Sequence, residues 1–538
     1  MRRAAVMVGL LGAVASRAAA QGLGPAVATE TGVYGEAYRI SGRDARRPDQ
    51  TLRAYLNPTV SWMGLTIGGT LLWSTENDFT AQTVNRFYLN PRWRWGELHA
   101  GDYTPMLSRF TASAVRVRGG GLSLTPGPLR LAAAAGRASE PSDLSPFDAA
   151  PRRMLYSGLV GFGSPDRTFI EISALRAVDT RAGTDTLSAT PQENLVGAAA
   201  AGLAVGPLRL KGEWSSALYS RDTRASQLDS VGQPQWTRSL FTARLSSRLD
   251  HAWSAEARVA LGAVGSLGAQ VEQVGPGYTT LGNPYLPNDR RDVRVFGQAR
   301  LGRGRLSLSS SLGVRRDNLA NDKRGTTYRR TGQLAVTHVA GAWLISSGTL
   351  LLNGLTSDPT PTAPGTPEPV LPPDSFRLKN LTRALAVTEQ VRFGTGVPQT
   401  LTLAYAEQVV NDDSPRLAGL LDVASRTVSL EYGITLAQQL TLSLRPGYQH
   451  FRGAGERDAF ASVSLGLARR AAKSPWSASL TTSYTQVGEG SQLRGDAMLS
   501  YRLWSSIQVA AQVRHTRVSG VAEPFNETLG SVRITRRW

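Results

Sequence analysis

The chain has 538 residues and a formal net charge of +19, and it contains no cysteine. The missing cysteine excludes disulfides, thiol chemistry, a lipoprotein anchor and an attached c-type haem on this sequence. After the N-terminus the longest apolar run is about ten residues (196–205), too short for a transmembrane helix.

The N-terminus has the pattern of an export signal. Arg2 and Arg3 precede an apolar run over residues 4–15, and three alanines then lead into Gln21. This pattern predicts a secretory signal peptide over residues 1–20. Residues 21–30 are predicted to be a short periplasmic leader, too short for a plug domain, and residues 31–538 a transmembrane β-barrel. Export also argues against nucleic acid as a partner, despite the basic charge.

Alternation with a period of two runs through the chain and predicts strands with one apolar and one polar face. Clear examples are Leu440, Leu442 and Leu444, and Val463, Leu465 and Leu467. Phe241, Ala243 and Leu245 predict a further strand in the same way. In each segment the small and polar residues share a face with arginine, as expected for the lumen face of a barrel.

Tight turns and longer polar loops alternate between the predicted strands. Twelve tight turns predict an all-β, single, antiparallel up-and-down barrel of about 26 strands, with 24–26 as the range. The turns would be periplasmic and the loops extracellular. A secreted β-solenoid or sandwich array is the soluble alternative, but the short fixed repeat that it requires is not found. The predicted tight turns are residues 62–64, 95–96, 126–128, 164–166, 206–207, 249–251, 302–304, 340–341, 394–398, 438–439, 472–475 and 504–505.

Eight of the eleven tryptophans lie close to these predicted turns or at the end of the chain. Amphipathic rings favour the membrane interface, so the set predicts a periplasmic aromatic girdle. Its members are Trp62, Trp93, Trp95, Trp253, Trp343, Trp476, Trp504 and Trp538.

The last eight residues alternate, with Val532, Ile534 and Trp538 on one face and mostly Ser, Thr and Arg on the other. This ending resembles the C-terminal signal that the barrel-assembly machinery of the bacterial outer membrane recognises, although Arg536 stands where that signal usually has an apolar residue. Over its whole mature length the chain resembles the outer-membrane porin superfamily. It is also similar in strand number to the barrels of porin–cytochrome conduits, which implies a periplasmic multihaem cytochrome as one partner that could fill the lumen.

Two extracellular loops stand out. Residues 265–289 contain enough glycine, proline and tyrosine to form either a solvated surface loop or a loop of defined shape that folds inward or grips a partner. Residues 357–374 are rich in Pro and Thr and are expected to be extended. Neither pattern by itself indicates a ligand.

No catalytic, cofactor or metal motif appears. His99, His251, His338, His450 and His515 have no ligand spacing, although His450 and His515 could serve a barrel enzyme at its rim. Residues 321–322 and 411–413 could hold calcium or contact lipopolysaccharide, but turn formation is the simpler role. No catalytic residue, metal ligand or cofactor is therefore predicted.

Arginines on the lumen faces would make a positive field that favours anions. The sequence thus predicts an outer-membrane channel that passes small hydrophilic solutes with an anion preference, in contact with outer-membrane lipid and lipopolysaccharide. Twenty-six strands would enclose a hole of about 50 Å if circular, so a sheath or scaffold for a partner, such as a cytochrome or a surface lipoprotein, is the alternative. The predicted lumen arginines are Arg238, Arg244, Arg248, Arg294, Arg300, Arg305, Arg445 and Arg514.

Overall fold

The computed structural model describes residues 25–75, 85–139, 151–180, 190–359, 377–415, 422–436, 439–453, 456–470, 474–521 and 523–538. The predicted signal peptide lies outside the described residues, as does most of the Pro-rich loop. The described part contains no helix with the length and apolar character needed to cross a membrane.

Twenty-six strands account for most of the described residues. The first half contains β1 (Ala26–Ser41), β2 (Gln50–Trp62), β3 (Leu65–Ser74), β4 (Arg86–Trp93), β5 (Gly96–Tyr103), β6 (Val117–Leu124), β7 (Leu129–Ser139), β8 (Arg152–Gly163), β9 (Phe169–Thr180), β10 (Glu193–Val205), β11 (Leu208–Ser220), β12 (Ser247–Ala260) and β13 (Gly265–Val274). The second half contains β14 (Arg290–Leu301), β15 (Leu306–Asp317), β16 (Gly325–Ala340), β17 (Leu344–Pro359), β18 (Leu378–Phe393), β19 (Gln399–Asp412), β20 (Val423–Leu436), β21 (Leu440–Gly453), β22 (Glu456–Arg470), β23 (Trp476–Val487), β24 (Gly490–Trp504), β25 (Ile507–Ser519) and β26 (Phe525–Arg537). Two short 3₁₀ helices, Gln235–Ser239 and Gly262–Val264, lie in connections.

Each strand pairs antiparallel with its sequence neighbours, and β1 also pairs with β26, so the sheet closes into a barrel. The closing ladder runs from Glu30 opposite Arg537 to Ser41 opposite Asn526. Closure removes the unpaired edges that an open sheet would expose. The predicted all-β barrel of 26 strands is confirmed. Its first strand begins at Ala26, a few residues before the predicted boundary at residue 31.

One predicted turn and one predicted strand are misplaced. Residues 249–251 lie within β12, and the connection from β12 to β13 is instead residues 261–264. Phe241 and Ala243 lie in the long connection between β11 and β12, where both are buried, so their alternation reflects loop packing. The strand count is still correct, because the number of turns is unchanged and only the position of one turn differs.

The two faces of the wall differ in chemistry. On β9, Ile170 and Ile172 are 60% and 64% exposed, whereas Ser173 and Leu175 on the other face are 3% and 1% exposed. Leu203, Val205 and most other exposed large hydrophobic residues of the strands follow the Ile170 face from strand to strand. The apolar face is the one that meets lipid, and the opposite face lines the lumen.

The buried core lies inside the barrel along one side of the wall. Two connections cover the lumen face of β7–β13: residues 104–116, called here the first lumen loop, and residues 275–289, the second lumen loop. The wall residues beneath them are Ala134, Leu155, Leu175, Ala177, Val196, Ala217, Ala252 and Val274. Residues 275–289 therefore fold inward, whereas the first part of the predicted 265–289 loop is strand β13.

Candidate functional site in the barrel lumen

The two lumen loops pack against each other and against the wall. Phe110 of the first loop and Tyr278 of the second are each 1% exposed, and their rings meet edge to face with centroids 6.2 Å apart. Leu281 joins the same cluster. Burying these side chains supplies the main apolar contribution that holds the loops inside the barrel.

Side chains of the second lumen loop donate hydrogen bonds to the backbone of the first. The Tyr278 hydroxyl donates to the Phe110 carbonyl at 2.7 Å and lies 2.8 Å from the Ser215 hydroxyl of β11. The Thr280 hydroxyl donates to the Thr111 carbonyl at 2.6 Å. Burial raises the pKa of Tyr278, so its phenol stays protonated and able to donate.

Asn194 of β10 fixes the second lumen loop to the wall. Its side-chain amide donates to the carbonyls of Leu218 and Thr279, and its side-chain oxygen accepts from the Leu281 N–H at 2.9 Å. Asn194 is fully buried, so these bonds satisfy polar groups that would otherwise be costly.

Close approach of the loops requires glycine at position 282. A Cβ there would lie 2.3 Å from the Thr111 carbonyl oxygen and 2.4 Å from Leu175 Cδ1. Both distances are far below van der Waals contact, so a side chain would push the second loop away from the wall.

A network of ion pairs lies where the second loop joins β14. The side chains of Arg290 and Glu272 are each 4% exposed and pair at 2.5 Å. Arg290 also pairs with Asp292, which pairs with Arg315 at 2.5 Å. Arg109 of the first lumen loop pairs with Glu272 from the other side. The buried charges are thus compensated, as burial of charged groups requires.

A cavity of about 420 Å³ opens on the lumen side of this network. Five arginines and two carboxylates line it, which leaves three positive charges in excess. The charged lining residues are Arg109, Arg290, Arg294, Arg315, Arg329, Glu272 and Asp292. The wall of β13–β16 is therefore electropositive at this position.

Two of these arginines have amide partners in place of carboxylates. Arg294 donates to the Gln270 side-chain oxygen at 2.6 Å, and Arg329 donates to that of Asn353 at 2.8 Å. Among the described residues neither forms an ion pair with a carboxylate. Their positive charges are consequently not neutralised by the wall.

The eight predicted lumen arginines fall into three groups. Arg248, Arg294, Arg300, Arg445 and Arg514 lie on strands, on the lumen face given by the ladders. Arg305 lies in the tight turn after β14, and Arg238 and Arg244 lie in the connection between β11 and β12. The structure brings only Arg294 of the eight to the electropositive cavity.

Arg109, Arg290, Arg315 and Arg329 of the cavity were not among the predicted residues. Arg315 and Arg329 are each followed directly by another arginine, at positions 316 and 330. Alternation alone therefore does not predict which arginine of each pair faces the lumen. Arg109 sits in a loop, whose inward course depends on contacts distant in sequence.

Seven of the eight predicted girdle tryptophans lie in or beside tight turns, or at the C-terminus, on the predicted periplasmic side: Trp62, Trp93, Trp95, Trp343, Trp476, Trp504 and Trp538. Trp253 instead lies inside β12, in register with Trp214 of β11. Its displacement follows from the misplaced turn at residues 249–251.

His251 does not form a complete serine–histidine–carboxylate arrangement. His251 Nδ1 lies 2.7 Å from the Ser216 hydroxyl on the lipid-facing side of the wall, and its ring stacks on Trp214. No described side chain orients the other ring nitrogen, which a serine–histidine catalytic pair normally requires. In the same part of the chain, no three His, Asp or Glu side chains converge as metal ligands would.

The fold and its two faces define the class of this protein. A closed antiparallel barrel, apolar outside and polar within, is one of the two backbone solutions that can span a membrane. The protein therefore has the fold of a bacterial outer-membrane β-barrel.

Comparison with known proteins adds structural likeness only. No protein-family model matches the chain, and no curated protein matches it either. Among solved structures, it is similar to the P pilus usher (PapC) translocation pore, with 12% identity, a TM-score of 0.43, and coverage of 95% of this chain and 99% of that one. The siderophore receptor PirA from Pseudomonas aeruginosa matches with 10% identity, a TM-score of 0.37, and coverage of 95% and 80%. A BenF-like porin from Pseudomonas fluorescens matches with 11% identity, a TM-score of 0.30, and coverage of 86% and 98%. Because these TM-scores lie below 0.5, no substrate or partner is transferred to this chain.

Proposed function

We propose that the protein is a non-enzymatic channel that passes small hydrophilic solutes across the outer membrane and prefers anions. The observation that carries this proposal is the excess of three positive charges around the lumen cavity on β13–β16. A fixed positive field in a narrow, low-dielectric passage raises the local concentration of anions and lowers that of cations.

We expect this part of the wall to contribute to the anion preference. Two lumen arginines elsewhere on the wall are paired with carboxylates: Arg445 with Glu431, and Arg514 with Asp496 at 3.1 Å. Paired charges contribute little net field at a distance. The uncompensated Arg294 and Arg329 should therefore contribute to the expected selectivity more than these paired arginines do.

The two lumen loops support a channel of restricted width. They occupy the lumen beside β7–β13 and are fixed there by burial and hydrogen bonds. A barrel of this strand number with an empty lumen would pass large molecules freely, so an inward filling is needed for a selective pore.

Single-channel recording of the purified protein in a planar bilayer, with a salt gradient, tests the proposal. We expect steady conductance and a reversal potential of the sign set by anion permeation. The variant Arg294→Gln/Arg329→Gln should shift the reversal potential towards that of a nonselective pore. A cation-selective reversal potential in the unaltered protein would contradict the anion preference.

A sheath for a protein partner is the second candidate. The lumen faces of β17–β20 carry small residues and are not covered by the two lumen loops; a groove of about 270 Å³ lies there between Thr349, Ala384, Ala386, Ala406 and Thr427. Small side chains would leave room for a partner. Size exclusion with neutral polymers distinguishes the two functions: a channel excludes polymers a few nanometres wide, whereas an empty sheath admits them.

A further inference from the structure

The lumen cavity on β13–β16 has the geometry of a ligand site, in addition to its excess positive charge. We propose that Arg294, Arg315 and Arg329 bind an oxyanion with two or more negative charges, of the phosphate or dicarboxylate class. This inference rests on the proposed channel function, because it names the class of solute that the lumen would concentrate.

The three arginines line the cavity around Gly313. Arg315 and Arg329 are direct register partners on β15 and β16, and Arg294 is the register partner of Gly313. Gly313 carries no side chain, so the space between the three guanidinium-bearing residues stays free. A Cβ at position 313 would lie 3.0 Å from Thr331 Oγ1 and 3.9 Å from Arg294 Cβ.

The placement of like charges argues for a ligand. Arg315 and Arg329 are directly opposite each other on adjacent strands. Like charges in that position destabilise a sheet, so an anion bound between them would relieve the repulsion. Asp292 accepts from Arg315, but it also pairs with the buried Arg290. The carboxylates present are thus shared among several arginines and leave the cavity positive.

The chemistry favours a multivalent oxyanion over chloride. Guanidinium groups present planar pairs of N–H donors that match the oxygens of phosphate or carboxylate. The Thr331 hydroxyl also lines the cavity and can donate a further hydrogen bond. An ion with several oxygens can engage more than one arginine at once, whereas chloride offers a single point contact.

Calorimetric titration of the detergent-solubilised full chain with inorganic phosphate, against chloride at equal ionic strength, tests the site. We expect saturable phosphate binding that weakens about tenfold in Arg294→Gln and in Arg329→Gln, since each removes one charge-assisted contact. Arg329→Lys keeps the charge but loses the planar donor pair and should bind with intermediate affinity.

Arg445→Gln is the matched control, because Arg445 also lies on the lumen face but pairs with Glu431 on another part of the wall. It should bind phosphate within about twofold of the unaltered protein, as expected for loss of a partly exposed pair. Heat-dependent gel migration shows that each variant retains the folded barrel.

Equal phosphate affinity in Arg294→Gln, Arg329→Gln and the unaltered chain would overturn the site, as would phosphate binding no tighter than chloride. Conductance of the same preparations separates the site from the proposed function. Phosphate binding without conductance would reject the channel and retain the site, and conductance without phosphate binding would do the reverse.

Discussion

Tyr278 connects three parts of the molecule through one side chain. Its ring packs on Phe110 of the first lumen loop, and its hydroxyl contacts that loop and Ser215 of the wall. The residue is 1% exposed, so the hydroxyl has no access to water as a substitute partner. Its contribution to stability should therefore be measurable with a one-atom change.

Tyr278→Phe should lower the free energy of unfolding by about 1–3 kcal/mol, because the Phe110 carbonyl loses its donor in a buried place. Urea titration of the lipid- or detergent-reconstituted protein measures the change. Tyr285→Phe is the control, since Tyr285 belongs to the same loop but is 81% exposed. An equal effect of the two substitutions would contradict the role assigned to Tyr278.

Gly282→Ala tests the close approach of the second lumen loop. The added Cβ would meet the Thr111 carbonyl oxygen and Leu175, so we expect destabilisation of about 1–3 kcal/mol and faster amide exchange in residues 275–289. Gly197→Ala is the matched control, because a Cβ there would have no atom within 4 Å. Unchanged exchange in Gly282→Ala would show that the loop is not held as described.

At the residue scale, sequence alone could predict only part of the lumen site. Alternation on β14 places Arg294 on a polar face, and that residue lines the cavity. Arg315 and Arg329 stand in Arg-Arg pairs, so their orientation depends on the register with β14, which is a nonlocal property. The contact of Arg109 with Glu272 joins residues far apart in the chain and leaves no local pattern.

At the scale of elements, the strands and turns were largely predictable because lipid and water impose opposite demands on the two faces. The turn between β12 and β13 is the exception. Residues 261–264 form the turn after β12 and are apolar or small, whereas Asp250 and His251 have turn-like polarity but lie in the strand. Asp250 does not form a turn. Its carboxylate accepts a hydrogen bond from the Gly277 N–H at 2.6 Å and so holds the second lumen loop.

Replacing residues 276–288 with a short Gly-Ser linker tests whether the second lumen loop restricts the pore. The barrel ladder of β13 with β14 should survive, because the loop begins after Val274 and ends before Arg290. We expect higher single-channel conductance with retained barrel assembly. Unaltered conductance would mean that the loop does not lie in the permeation path.

Trp538→Ala addresses the C-terminal strand. We predict a lower yield of heat-modifiable barrel in the outer membrane, because the terminal aromatic is expected to contribute to recognition by the assembly machinery. Trp236→Ala, in the 3₁₀ helix between β11 and β12, is the control, because it removes the same indole from an exposed position outside the C-terminal strand. Equal yields for the two variants would contradict a contribution of Trp538 to recognition by the assembly machinery.

At the scale of the whole molecule, the barrel is asymmetric inside. One side of the wall is covered by the lumen loops, the adjoining strands β14–β16 carry the basic cavity, and β17–β20 present small residues to the lumen. The sequence predicted the strand number but not this division, because it depends on which loops fold inward. In the proposed channel, the side covered by the loops would narrow the lumen, and the other side would leave a path for solutes.

The central claim is that this barrel conducts small anions by itself. Reversal potential and single-channel conductance of the purified chain in a planar bilayer under a KCl gradient test it most directly. We predict discrete, steady openings with a reversal potential on the chloride side, reduced when ionic strength screens the arginines. Absent conductance, or a reversal potential on the potassium side, would contradict the claim.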